Sequence, residues 1–164
     1  MEIKIPLYNL LNCFLTGFVF LGALIVISPK ALLCLLSDET LRCIKPLPEI
    51  IITATGLAII YETGVIINRL GSVVTETILR FLHIIKFNDN YILFNIKKKE
   101  FPVLNILSRE YAISRTGITM FLIFFVLFCL QKNCVLAIAS LLVVSIFTVS
   151  CVKHSNKIVS LMSS

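Results

Sequence analysis

Charge and histidine are both scarce in this chain. Asp, Glu, Lys and Arg together make up 15% of its 164 residues, and histidine occurs only twice. Soluble globular domains carry about 25% charged residues. A soluble domain of this length cannot bury an apolar fraction of 58%, which excludes an ordinary cytosolic enzyme. Disorder is excluded too, because unfolded chains are polar and highly charged. The six cysteines, at positions 13, 34, 43, 129, 134 and 151, form no CxxC pair. Zinc sites need clustered Cys and His at set spacings, so no metal site is expected. Nucleotide-binding glycine loops, HExxH, GxSxG and nucleophile constellations are also missing. His83 and His154 stand alone and read as surface groups. The sequence therefore supplies no catalytic residues and no cofactor site.

Apolar runs are what the chain has in excess, with a mean hydropathy of +0.99. Residues 6–28 (PLYNLLNCFLTGFVFLGALIVIS) contain no charge. At about 1.5 Å per helical residue they reach roughly 34 Å, enough for a hydrocarbon core about 30 Å thick. The run is too long for a signal peptide, no A-x-A site follows it, and Leu33 before Cys34 is too bulky for lipoprotein cleavage. It reads as a retained span. A second span, residues 49–67, begins after Pro46 and Pro48, which suit a helix start. The third and fourth are residues 113–130 and 134–152. Only Gln131, Lys132 and Asn133 separate those two, which predicts an antiparallel helical hairpin. Lipid is thus the first expected partner.

Flanking cations set the orientation. With four spans, both termini and the central segment share one side. That side carries Lys4, Arg69, Arg80, Lys86, Lys97, Lys98, Lys99, Arg109, Arg115, Lys153 and Lys157, against Lys30, Arg42, Lys45 and Lys132 on the other. The positive-inside rule puts the richer side in the cytoplasm. The formal charge of +6 is accordingly read as topological rather than as a nucleic-acid footprint, and no direct nucleic-acid partner is expected. The outward loop, residues 29–48, holds Cys34 and Cys43. In an oxidising compartment these form either a bridge, worth about 2–3 kcal/mol for so short a loop, or two free thiols.

Residues 68–112 are the substantial water-exposed part. Over 71–87, Val74, Ile78, Leu82 and Ile85 recur at helical spacing, and Glu76 and Arg80 are placed for an i,i+4 pair. This predicts an amphipathic helix that either continues the second span, with a bend at Gly71, or lies flat at the interface. Asn88-Asp89-Asn90 breaks it. Residues 91–101 (YILFNIKKKEF) read as a short hairpin or an irregular basic loop. Pro102 opens a further helix with Leu104, Leu107, Tyr111 and Ser114 on one stripe, running into the third span. Lys97, Lys98, Lys99 and Arg80 are candidates for contact with anionic lipid head groups, at about 1 kcal/mol per cation, or with a soluble protein partner.

Within the spans Glu62 stands out. Seven positions before Arg69, it lies roughly 10 Å inside the boundary, where a carboxylate is costly without a partner. Thr55, Glu62, Arg69, Glu76 and His83 recur every seven residues and make one stripe on a regular helix. Asn9 and Asn12 on the first span and Arg115 on the third lie at matching depth. The expectation is an intramembrane polar cluster of Asn9, Asn12, Glu62, Arg69 and Arg115, with Glu62 paired to Arg115 or Arg69. Such a cluster serves either as interhelical glue or as the lining of a pore. Polar groups on more than one side of the second span point to a homo-oligomer.

In layout the chain resembles the small four-span bacterial inner-membrane subunits of antiphage defence systems, nearest the Kiwa transmembrane subunit. The opening Tyr8-Asn9-Leu10-Leu11-Asn12 and the run Tyr61-Glu62-x-Gly64-x-x-x-Asn68-Arg69 carry the resemblance, with both ends on the inner side. It implies a membrane sensor that assembles as an oligomer and binds a cytoplasmic DNA-acting partner.

Together these readings predict an all-α polytopic membrane protein of the bacterial inner membrane. It forms a single membrane domain over residues 1–164, with N- and C-termini cytoplasmic and with helical cytoplasmic extensions of the second and third spans. The expected role is a non-enzymatic sensor or scaffold subunit that oligomerises and binds a soluble cytoplasmic partner. An ion-conducting or pore-forming effector is the alternative.

Overall fold

The computed structural model describes residues 7–27, 48–86 and 90–163. Among them every regular element is helical. The elements are α1 (Leu7–Ile27), α2 (Glu49–Leu70), a π-helical turn (Gly71–Thr75), α3 (Glu76–Phe81), α4 (Tyr91–Glu100), α5 (Val103–Leu130) and α6 (Cys134–Ser163). Four helices are long and apolar enough to cross a membrane: Leu7–Ile27, Glu49–Phe81, Val103–Leu130 and Cys134–Ser163. The last three contain the expected spans 49–67, 113–130 and 134–152, and Leu7–Ile27 matches the described part of the expected span 6–28. The chain divides into two compact units, Met1–Ile67 and Asn68–Ser164.

In the first unit, α1 meets α2 through two glycines. A Cβ added at Gly17 would lie 1.8 Å from the Ile60 carbonyl oxygen, and one at Gly64 would lie 1.8 Å from that of Cys13. Only residues without side chains allow backbones this close, and such contacts are how apolar helices associate where lipid removes the hydrophobic drive. Phe14 and Tyr61 close the same seam, ring centroids 5.4 Å apart. The rest of α1 is open, with Leu7, Leu15 and Phe18 exposed.

The second unit is built around α5. Leu104, Leu107, Tyr111 and Ser114, the expected stripe, are all buried on it, and Leu104 has no exposed surface. The core joins Leu79, Ile85, Tyr111, Ile118 and Cys151, with Val144, Phe147 and Ile158 packed against them. The opposite side of α6 is bare, with Val135, Ile138, Leu142, Ile146 and Val149 exposed at helical spacing. The turn between α5 and α6 is a Schellman motif: Lys132 N–H donates to Cys129 O at 3.0 Å and Asn133 N–H to Phe128 O at 3.0 Å. Lys132 supplies the left-handed residue, with φ 59°, and Asn133 caps the next helix by accepting from Leu136 N–H at 3.3 Å. Three residues thus end one helix and start another.

The structure departs from the sequence reading in three places. The bend expected at Gly71 is a π-helical turn in which Glu76 N–H donates to the carbonyl five residues back, Gly71 O. The amphipathic helix expected over 71–87 stops at Phe81. There a second Schellman motif forms, with His83 N–H donating to Arg80 O at 2.9 Å and Ile84 N–H to Leu79 O at 3.0 Å. His83 takes the left-handed position, φ 55°, which histidine adopts more readily than most side chains. The hairpin or loop expected over 91–101 is helix α4. Asn90, read as part of a breaker, is its N-cap and accepts from Leu93 N–H at 3.0 Å. Lys97, Lys98 and Lys99 form its last turn, where cations complement the helix dipole.

Candidate functional site, a buried ion-pair cluster and its cavity

The π turn decides which residues meet in the second unit. One extra residue in a helical turn shifts the phase of everything after it by about 100°. Thr75 and Glu76 are thereby turned inward, 5% and 8% exposed, although a regular helix would keep Glu76 on the exposed stripe of Glu62 and Arg69. Glu76 then receives two guanidinium groups. Arg80 Nη2 donates to Glu76 Oε1 at 2.5 Å, the expected i,i+4 pair. Arg115 Nη1, from α5, donates to Glu76 Oε2. The Arg115 side chain is only 13% exposed and that of Arg80 36%, so the Arg115 contact is the desolvated half of the triad.

Hydroxyl pairs flank the triad. Thr119 donates to Arg115 O at 3.0 Å, so the 2.7 Å contact between Thr75 and Thr119 has Thr75 as donor. Ser114 likewise donates to Glu110 O at 2.9 Å and accepts from Ser150 at 3.0 Å. Thr116 Oγ1 lies 3.0 Å from Asn68 Oδ1 and 2.9 Å from Ala112 O. With the Asn68 amide turned so that its nitrogen donates, both contacts are satisfied. Ser155 on α6 donates to Lys86 O and anchors the segment after α3.

Beside the triad lies a cavity of about 390 Å³, lined by residues of the second unit that include Glu76, Lys86, Tyr111 and Arg115. Tyr111 and Arg115 are neighbours on α5, with the guanidinium carbon 5.8 Å from the ring centroid. The Tyr111 hydroxyl and Arg115 Nε are buried without a hydrogen-bond partner among the described residues.

Of the residues in the expected polar cluster, Arg115 meets the carboxylate of Glu76 within the second unit. Glu62 is exposed on α2 and Arg69 is exposed as well, and neither has an ion-pair partner among the described residues. Asn9 is exposed and Asn12 half-buried on α1, and neither side chain makes a hydrogen bond among the described residues. Arg80, read as a head-group or partner contact, belongs to the triad. Lys97 folds back to Glu100 at 3.3 Å and lies 5.6 Å from the Phe101 ring centroid, whereas Lys98 and Lys99 are exposed. Cys34 and Cys43 lie outside the described residues. Sequence reasoning missed Asn68 and Thr75 as members. Their only signal was that each lies within four residues of the glycine where a bend was expected. Among the described residues no group of three His, Cys, Asp or Glu side chains is placed to hold a metal ion. Comparison of the chain with protein-family models, curated proteins and solved structures gave no match.

Proposed function

We propose that this chain is a multi-pass membrane sensor or scaffold subunit. In this reading it oligomerises, carries no catalytic centre and offers its cytoplasmic helices to a soluble protein. The observation that carries the partner half is the outer face of α4: Tyr91 is 75% exposed, Ile92 76% and Ile96 52%, with Lys98 and Lys99 beside them. A short helix that leaves both apolar and cationic groups uncovered is suited to an acidic, partly apolar protein surface. The oligomer half rests on Glu62. It stands exposed between Ile59 and Ile66, which are 54% and 58% exposed. A charged side chain facing lipid at mid-helix costs roughly 2.5–3.5 kcal/mol on insertion scales, and contact with a second copy removes that cost. The resemblance to antiphage-defence subunits supports a sensing role in the bacterial inner membrane with both termini cytoplasmic.

The test is co-purification in mild detergent from the native locus. A soluble protein should accompany the wild type and be lost from the variant Ile92→Asp/Ile96→Asp. Recovery of the chain alone, with no effect of deleting residues 88–101, contradicts the scaffold. The exposed Glu62 face also favours a second reading, an ion-conducting oligomer with Glu62 along its lumen. A selective bilayer current abolished by Glu62→Gln supports that reading, and no current leaves the scaffold.

A further inference from the structure

The cavity of the second unit has more donors than the described residues around it satisfy. Tyr111 is 7% exposed, yet among the described residues its hydroxyl has no partner, and Arg115 Nε beside it has none either. Buried tyrosine hydroxyls and guanidinium N–H groups normally find acceptors. Among the described lining residues the one carboxylate, Glu76, has one oxygen bonded to Arg80 and the other to Arg115. Lys86 and the hydroxyls of Ser72 and Ser108 also line the space. Among the described lining residues two cations, Lys86 and Arg115, stand against one carboxylate, Glu76. Ser108, Tyr111 and Arg115 follow one another at three- and four-residue spacing, so one face of α5 presents them together. The facing wall is apolar, made by Phe94 of α4 and Ile158, Val159 and Met162 of α6.

We propose that this cavity binds a phosphate ester carrying an apolar chain. The phosphate would accept from the Tyr111 hydroxyl, Arg115 Nε–H and the Lys86 ammonium, and the chain would lie along Phe94, Ile158 and Met162. A negatively charged phosphate, with two non-bridging oxygens in a diester and three in a monoester set tetrahedrally about phosphorus, can accept from several convergent donors at once. A volume of about 390 Å³ falls in the range of small-ligand sites and takes a head group with the first part of a chain. In the four-span reading Arg115 stands near the cytoplasmic start of the third span. That is the level of lipid phosphates, where basic pockets between helices hold anionic head groups. The inference is independent of whether a soluble protein partner exists.

The full chain, purified in detergent with equal amounts of phosphatidylglycerol and phosphatidylcholine, is examined by native mass spectrometry. Retention of one phosphatidylglycerol per chain, about tenfold over phosphatidylcholine, is expected. Tyr111→Phe and Lys86→Gln should each lower it several-fold. Lys86 is exposed, so its variant tests the site without disturbing the core. Decyl phosphate and inorganic phosphate are added separately to delipidated protein. Binding of decyl phosphate without phosphatidylglycerol retention identifies a soluble amphiphile as the source, with the same phosphate chemistry. Binding of inorganic phosphate that both variants weaken supports the phosphate contacts without the chain. Equal retention of the two lipids with no response to either phosphate overturns the proposal. So does retention that neither variant changes, or preferential retention of oleate over the phosphate esters.

Discussion

Replacing Glu76 by glutamine should be among the most damaging single changes in the second unit. The substitution keeps the shape of the side chain but leaves the Arg115 guanidinium, 13% exposed, without its counter-charge. Removing one partner of a buried ion pair typically costs about 3–5 kcal/mol, because the other charge stays buried. The Arg80 contact adds little: with a side chain 36% exposed, it belongs to the class worth about 0.2–1 kcal/mol. For a chain of this size, 1 kcal/mol corresponds to about 2–4 °C in melting temperature. Glu76→Gln should therefore lower the midpoint by roughly 6–20 °C, and Arg80→Gln by no more than about 4 °C. Cys13 and Cys151 are buried, so a fluorogenic maleimide follows unfolding directly once the other cysteines are changed to serine. Glu76→Leu combined with Arg115→Met should recover most of the loss, since an apolar pair of similar volume often replaces a buried ion pair without cost. A Glu76→Gln midpoint within about 2 °C of the wild type would show that the buried ion pair does not hold the second unit together.

Other expectations follow from the same geometry. Gly64→Val should part α1 from α2, because its Cβ would meet the Cys13 carbonyl oxygen at 1.8 Å. In a chain whose only cysteine is Cys13, maleimide labelling should rise several-fold, and an unchanged rate would contradict the close seam. Thr119→Val removes the acceptor of the Thr75 bond and should cost about 0.6 kcal/mol, the average for such bonds between membrane helices, giving a midpoint drop of only a few degrees. His83→Gly should hold or slightly raise stability, because glycine suits φ 55° without a Cβ penalty. His83→Val should lower it by about 1–2 kcal/mol in the same melt.

The four long helices were legible because uninterrupted apolar runs have few alternatives in water or lipid. Local rules were legible too: Pro102 before a helix, the three-residue turn at Gln131–Asn133 and the i,i+4 placement of Glu76 and Arg80 all follow from neighbours in sequence. The site was not legible, because it depends on the single added residue in the π turn. A seven-residue stripe counted across Gly71 assumes an unbroken helical period. The added residue takes Glu76 off that stripe and aims it at Arg115, while Glu62 and Arg69 remain exposed. Gly17 was hidden for a different reason. A glycine that lets two helices touch is defined by Ile60 on the partner helix, and its own flanking sequence carries no such mark. Helix α4 was misread because the β-prone Tyr91–Phe94 stretch outweighed an Asn90 cap that becomes visible only with Leu93 N–H in place.

Substituted-cysteine labelling in intact cells tests the membrane account most directly. In a chain with its native cysteines changed to serine, a cysteine at Lys132 should react with a membrane-impermeant maleimide added outside, and one at Lys98 only after permeabilisation. Labelling of position 98 from outside, or release of the protein into the aqueous fraction by carbonate, would contradict it.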